Sequence, residues 1–107
     1  MKYEFEKLLN RSYEAIKSRG LIKSDTHIYQ FMAKIEEEYN EAVDASDELY
    51  LMNTHKAKQH YVEELTDLAT VCMMQIMHLG ANPIKEFEKV VLKNEQRAEE
   101  TTKKLEG

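Results

Sequence analysis

Glu38-Tyr39-Asn40-Glu41 and Glu64-Leu65-Thr66-Asp67 are two acidic pairs set into separate amphipathic segments of a 107-residue chain, and they decide how the chain folds. Around the first pair Ile28, Met32, Ile35, Ala42, Ala45 and Leu49 recur at helical spacing. Glu38 falls on the same stripe, one step after Ile35, and Glu41 lies one turn further along. Around the second pair Leu65, Leu68, Ala69, Cys72, Ile76 and Leu79 mark the expected buried face, with Glu64 on its border and Asp67 along the edge. Each pair therefore presents two carboxylates on one side of a helix. In a chain that is 33% charged, one such pair ordinarily marks a solvated face; two, each tied to an apolar stripe, point to a site.

Outward from these segments the pattern predicts an all-α chain of four helices. Phe5, Leu8, Leu9, Tyr13 and Ile16 give a first helix over about residues 3 to 19, which Gly20 can close in the left-handed conformation. Ser24 or Asp25 is the expected cap of a second helix running to about Leu51, long enough to kink where Asp44 to Glu48 turns polar. Met52-Asn53-Thr54-His55 is the expected turn. A third helix follows over about Lys56 to Leu79 and ends at Gly80; Asn82-Pro83 then supplies a cap and a preset first residue for a fourth, reaching about Thr102. The end of the chain, about 103–107, is expected to fray. Sustained period-two alternation is lacking, so strands are not expected. Short connections imply a compact four-helix bundle, in which antiparallel packing of helices two and three would bring the acidic pairs face to face, while helices one and four close the bundle or meet a second subunit.

Neighbouring carboxylates repel, and pushing them toward a low-dielectric interior raises the cost, so they call for a cation or shared protons. Magnesium suits four oxygen donors, because it leaves positions for water and substrate phosphate. An oxygen-activating di-iron bundle would want Glu-x-x-His, and no glutamate here has a histidine three positions later. His60 and Glu64, at i and i+4, suit a surface pair at least as well as a shared ion.

The succession Lys34-Ile35-Glu36-Glu37-Glu38-Tyr39-Asn40-Glu41-Ala42, Glu63-Glu64-Leu65-Thr66-Asp67 and Lys93-Asn94-Glu95-Gln96-Arg97 resembles the E-E-x-x-E, E-x-x-D and K-N-x-x-R order of MazG-like nucleotide pyrophosphohydrolases, over about residues 25–100. That all-α superfamily includes dimeric dUTP and dCTP pyrophosphatases and phosphoribosyl-ATP pyrophosphohydrolase. The resemblance implies that Glu38, Glu41, Glu64 and Asp67 are magnesium ligands, with manganese as a substitute, and that Asn94 and Arg97 contact nucleotide and phosphate. It also implies a homodimer or homotetramer, and cleavage of a nucleoside triphosphate, deoxynucleotides foremost, to monophosphate and pyrophosphate. Glu38 or Glu41 is the candidate base, and Lys34, Lys93 and Arg97 are candidate phosphate-binding cations, a guanidinium being able to hold phosphate oxygens bidentately. Several relatives carry a lysine about one turn before the asparagine, where this chain has Val90, its nearest lysines being Lys89 and Lys93. The tryptophan-containing N-terminal signature of dCTP-directed relatives is missing, and no residue names the base. Glu36, Glu37 and Glu63 are expected to face solvent or to lie in the outer sphere of the ion. Tyr39, Met32, Met73, Met74 and Met77, like Tyr13, Tyr29 and Phe31, are expected in the core rather than in a base pocket.

Length fits a single domain of residues 1–107 with a modest core, of a size often completed by oligomerisation. A net charge of −5 argues against binding duplex nucleic acid, which needs a basic patch. The single cysteine, Cys72, is expected as a small core residue and suits a reducing cytoplasm. An acidic N-terminal stretch and the lack of a ~20-residue apolar run predict neither a secretory signal nor a membrane partner. A non-catalytic helical module, using its apolar faces for oligomerisation or a partner helix, is the alternative from another class.

Overall fold

The structure, a computed structural model, describes residues 2–106. It is all-α, with α1 over Lys2–Ser18, α2 over Ile28–Met52, α3 over His55–His78 and α4 over Pro83–Glu106. No strand occurs among the described residues, and no helix is long and apolar enough to cross a membrane.

Local chemistry sets the boundaries. Gly20 takes φ +75° after α1, as its lack of a Cβ allows, and its N–H donates to the Lys17 carbonyl at 2.9 Å. The cap of α2 is His27, not Ser24 or Asp25: its Nδ1 accepts from Tyr29 N–H at 3.2 Å, while Gln30 Oε1 accepts from His27 N–H at 2.7 Å. A reciprocal capping box therefore begins the helix three residues later than a Ser24 cap and two later than an Asp25 cap would. The intervening residues are used differently, Lys23 N–H donating to Thr26 Oγ1 at 2.8 Å to fold the connection back. Asn53 in the left-handed region ends α2, and Thr54 caps α3 through Ala57 N–H at 3.1 Å. Asn82 Oδ1 accepts from Ile84 N–H at 2.9 Å ahead of α4. That last helix runs past the expected end to Glu106, with Thr101 and Thr102 hydroxyls donating back to the Arg97 and Ala98 carbonyls.

Because only Asn53 and Thr54 separate them, α2 and α3 fold back as an antiparallel hairpin, the dominant packing of the chain. Ala42, Ala45 and Ala57 are buried along it, and small side chains at the contact let the axes approach. A separate apolar cluster of Leu9, Ile22, Phe31, Met74 and Ile84 gathers α1, the 19–27 connection and the start of α4 around the far end of α3.

Two buried faces differ from the sequence expectation. On α3, Leu65 and Leu79 are exposed, whereas Ala57 and Met74 are buried and Glu64, Leu68 and Val71 half-buried. Apolar residues wrap most of this helix, so periodicity alone could not choose the face; Met74, meeting Phe31 and Leu9, did. On α2, Ile28 and Met32 are exposed and Phe31 takes the core position. Tyr29 and Tyr39 are exposed too, while Met73, Met77 and Tyr13 pack against the core as expected. The radius of gyration is 17.4 Å, against about 13 Å for a compact chain of this length, and α4 is exposed beyond its first turn.

Candidate metal centre

The α2–α3 hairpin sets Glu38 and Glu41 of one helix opposite Glu64 of the other. Glu38 follows Phe31 and precedes Ala42 on the stripe that α2 turns toward α3, and is only 8% exposed. Glu64 is half-buried and Glu41 exposed. One oxygen from each of the three lies within 4.8 Å of the others.

Partners take one oxygen of each enclosed carboxylate and leave its twin. Lys34 Nζ sits 3.2 Å from Glu38 Oε1 and 3.5 Å from Glu37 Oε1. His60 Nε2 sits 3.2 Å from Glu64 Oε1, and its Nδ1 is 3.5 Å from Glu48 Oε2 across the hairpin. Glu38 Oε2 and Glu64 Oε2 are buried with no hydrogen-bond partner. Such orphaned oxygens are costly unless a proton or a cation meets them.

Electrostatics follow from the crowding. The charge of Glu38 is the main cause that pushes the Glu41 carboxyl above its usual range, with partial desolvation and Glu64 adding to it. Asp67 is also pushed up, first by partial desolvation and then by the charges of Glu38 and Glu64, against a smaller opposing pull from Lys34. The hydrogen bond to Glu38 is the main cause that raises Lys34.

A divalent cation fits this donor set. Hard oxygen ligands from two helices converge and two buried oxygens lack partners. Oxygens around magnesium at 2.0–2.1 Å stand no more than about 4.2 Å apart, so a small side-chain adjustment closes the triad. Asp67 lies outside the triad but lines, with Glu38 and Lys34, a cleft of about 530 Å³ beside it. The cleft runs toward the 19–27 connection over a floor that includes Ile22, Phe31 and Met74.

Glu36, Glu37 and Glu63 are exposed, as expected. Lys93, Asn94 and Arg97 are exposed on α4 and line neither the triad nor the cleft. Sequence reasoning missed three neighbours of the site. Glu48 left no signal, because its pairing with His60 depends on hairpin register; Arg19 and Gln30 reach the cleft through the 19–27 connection and the capping box. Compared with protein-family models, curated proteins and solved structures, the chain matches none.

Proposed function

We propose that this chain is a MazG-like, magnesium-dependent nucleotide pyrophosphohydrolase that cleaves a nucleoside triphosphate between its α and β phosphates, with manganese able to substitute. The observation that carries it is the convergence of Glu38, Glu41 and Glu64 from two helices, with two buried orphan oxygens, where Glu38 also lines a cleft together with Lys34 and Asp67.

Glu38, Glu41 and Glu64 would hold the ion, with Asp67 joining from the cleft wall. When bound, a divalent ion supplies charge for the phosphate oxygens and lowers the pKa of a coordinated water. The residues supply the rest. Lys34, half-exposed beside Glu38, would supply a cation to a phosphate oxygen. Glu41, solvent-facing and with raised proton affinity, is placed to take the proton from the attacking water. Water oxygen bonds to the α phosphorus, the bond to the bridging oxygen breaks, and pyrophosphate leaves.

Exposed Lys93, Asn94 and Arg97 find a role if subunits pair, α4 of one chain then facing the site of another as a homodimer or homotetramer. A cytoplasmic setting, rich in nucleotides and magnesium, suits this chemistry. The test is release of pyrophosphate and nucleoside monophosphate from a triphosphate panel with magnesium, manganese or chelator. Metal-dependent formation of both products is expected from the wild type, and its loss in Glu38→Ala and Asp67→Ala with helicity intact; full activity in both variants would sink the assignment.

A second reading, a non-catalytic oligomerisation or partner-binding module, is favoured by one observation, the apolar surface that α4 leaves exposed at Phe87 and Leu92. Partner capture without any stabilisation by magnesium would support it.

A further inference from the structure

Glu64 is held by one oxygen, and what holds it lies outside the acid triad. His60 stands one helical turn before Glu64 on α3, with its Nε2 3.2 Å from Glu64 Oε1. The other ring nitrogen, Nδ1, is 3.5 Å from Glu48 Oε2 on α2, so the imidazole spans the hairpin and is steadied from the opposite helix. Glu64 Oε2 is left buried and without a hydrogen-bond partner. The same arrangement recurs at Glu38, whose Oε1 meets Lys34 Nζ at 3.2 Å while Oε2 of this buried side chain has no partner.

How many oxygens a carboxylate gives decides which hard cation it suits. Calcium gathers about six to eight oxygens and draws on carboxylates that give both of theirs, whereas magnesium demands a tight octahedron and keeps several of its waters. A carboxylate whose Oε1 is engaged by a neighbour gives an ion one oxygen; the same carboxylate released can give two. Engaging Oε1 of Glu38 and of Glu64 therefore brings the donor number of the triad down toward what magnesium accepts and away from what calcium needs. Of the two neighbours, His60 is the one that crosses between helices, and its half-exposed ring can be removed without opening a cavity in the apolar cluster around Met74.

We propose that His60 is a positioning residue of the metal centre: held across the hairpin by Glu48, it confines Glu64 to one-oxygen ligation and so sets the centre for magnesium or manganese against calcium. The inference rests on the metal-dependent pyrophosphohydrolase reading and adds its cation discrimination. His60 acts through Glu64 and does not itself touch the ion. Partners that engage a metal-binding carboxylate in this way fix its orientation, and their loss changes both how tightly and how selectively the site binds.

The experiment titrates nucleotide-free protein calorimetrically with magnesium chloride and, separately, calcium chloride, in wild type, His60→Ala and His60→Gln. In His60→Ala magnesium affinity is expected to fall about tenfold as Glu64 loses its orientation, while calcium, gaining the released oxygen, holds its affinity, so that the ratio of the two dissociation constants shifts about tenfold toward calcium. His60→Gln, whose amide NH₂ can meet the same oxygen, should restore most of the wild-type ratio. A general loosening of the hairpin would weaken both ions together; an unmoved ratio in His60→Ala therefore overturns the inference, as does a wild type that binds neither ion. Should His60→Ala fail to fold, Glu48→Ala, which frees the ring from α2, decides: a shift toward calcium supports the assignment and an unmoved ratio overturns it. None of these titrations involves turnover, so the hydrolase reading stands or falls separately, on the triphosphate panel.

Discussion

Lys34 Nζ lies 3.2 Å from Glu38 Oε1, one helical turn away, while Oε2 of the same buried carboxylate has no partner. The lysine therefore neutralises Glu38 from one side and leaves the other open toward Glu41 and Glu64. Removing it strands a buried charge. Lys34→Met is expected to lower the stability of metal-free protein by about 1 kcal/mol, a modest figure because the ammonium is half-exposed and screened. Magnesium should recover much of that loss while KM for nucleotide rises. Urea titration with and without magnesium checks the first part, and steady-state kinetics the second.

Glu41 behaves in the opposite sense. It is solvent-facing and repelled by Glu38, so Glu41→Gln relieves the metal-free fold and should raise its thermal midpoint. The same change removes a carboxylate from the proposed metal triad, and magnesium affinity should fall at least about tenfold. A calorimetric titration that returns wild-type affinity would remove Glu41 from the centre.

The raised carboxyls of Glu41 and Asp67 give a pH signature with a definite sign. Both hold their protons more tightly in the folded chain than in the unfolded one. Their contribution to metal-free stability is therefore fully present below the ordinary carboxylate pKa values and is lost as pH rises through the raised folded values. With saturating magnesium the trend reverses, because ligands must lose protons to bind the ion. Denaturation midpoints from about pH 4 to about pH 7, in chelator and in magnesium, should diverge as pH rises, and a Glu41→Gln/Asp67→Asn variant should flatten both curves.

The candidate centre was legible because its signal is local. Glu38 and Glu41, like Glu64 and Asp67, sit one turn apart, and a short turn between two helices suffices to bring Glu38, Glu41 and Glu64 together. What was not legible depends on choices between near-equal alternatives. Apolar residues lie all round α3, so its buried face was settled by Met74 against Phe31 and Leu9 rather than by spacing. His27, not Ser24 or Asp25, caps the helix with Gln30 at the position that completes its box, and histidine is not among the residues that ordinarily mark an N-cap. Glu48 was invisible since only the three-dimensional register of the hairpin sets it against His60.

Met74 is 1% exposed, the most enclosed large side chain, and joins the hairpin to α1 and α4 while flooring the cleft. Met74→Ala should cost about 3 kcal/mol through lost burial and the cavity left behind. Against a total of roughly 5–15 kcal/mol for a domain, that is a large fraction. Met74→Leu, nearly equal in volume, should cost less than about 1.5 kcal/mol. Equal losses from the two would mean that the site does not act as a packed core position.

Phe87 is 67% exposed on α4, and Ile84, Phe87, Val91, Ala98 and Leu105 follow one seam of that helix at three- and four-residue steps, with Asn94 and Thr101 completing its register. Only the first turn of this seam is buried within the chain. Together with the extended radius of gyration, this favours the proposed association of subunits through α4, which would cover apolar surface that water otherwise meets. Replacing Phe87 and Val91 together by aspartate should leave the α2–α3 hairpin folded, yet shift the scattering mass at micromolar concentration to that of one chain. If the association also brings Lys93, Asn94 and Arg97 to a neighbouring site, the variant should lose turnover more than it loses magnesium binding. A wild-type chain that is already monomeric under those conditions would remove subunit pairing from the proposal and leave α4 to the partner-binding alternative.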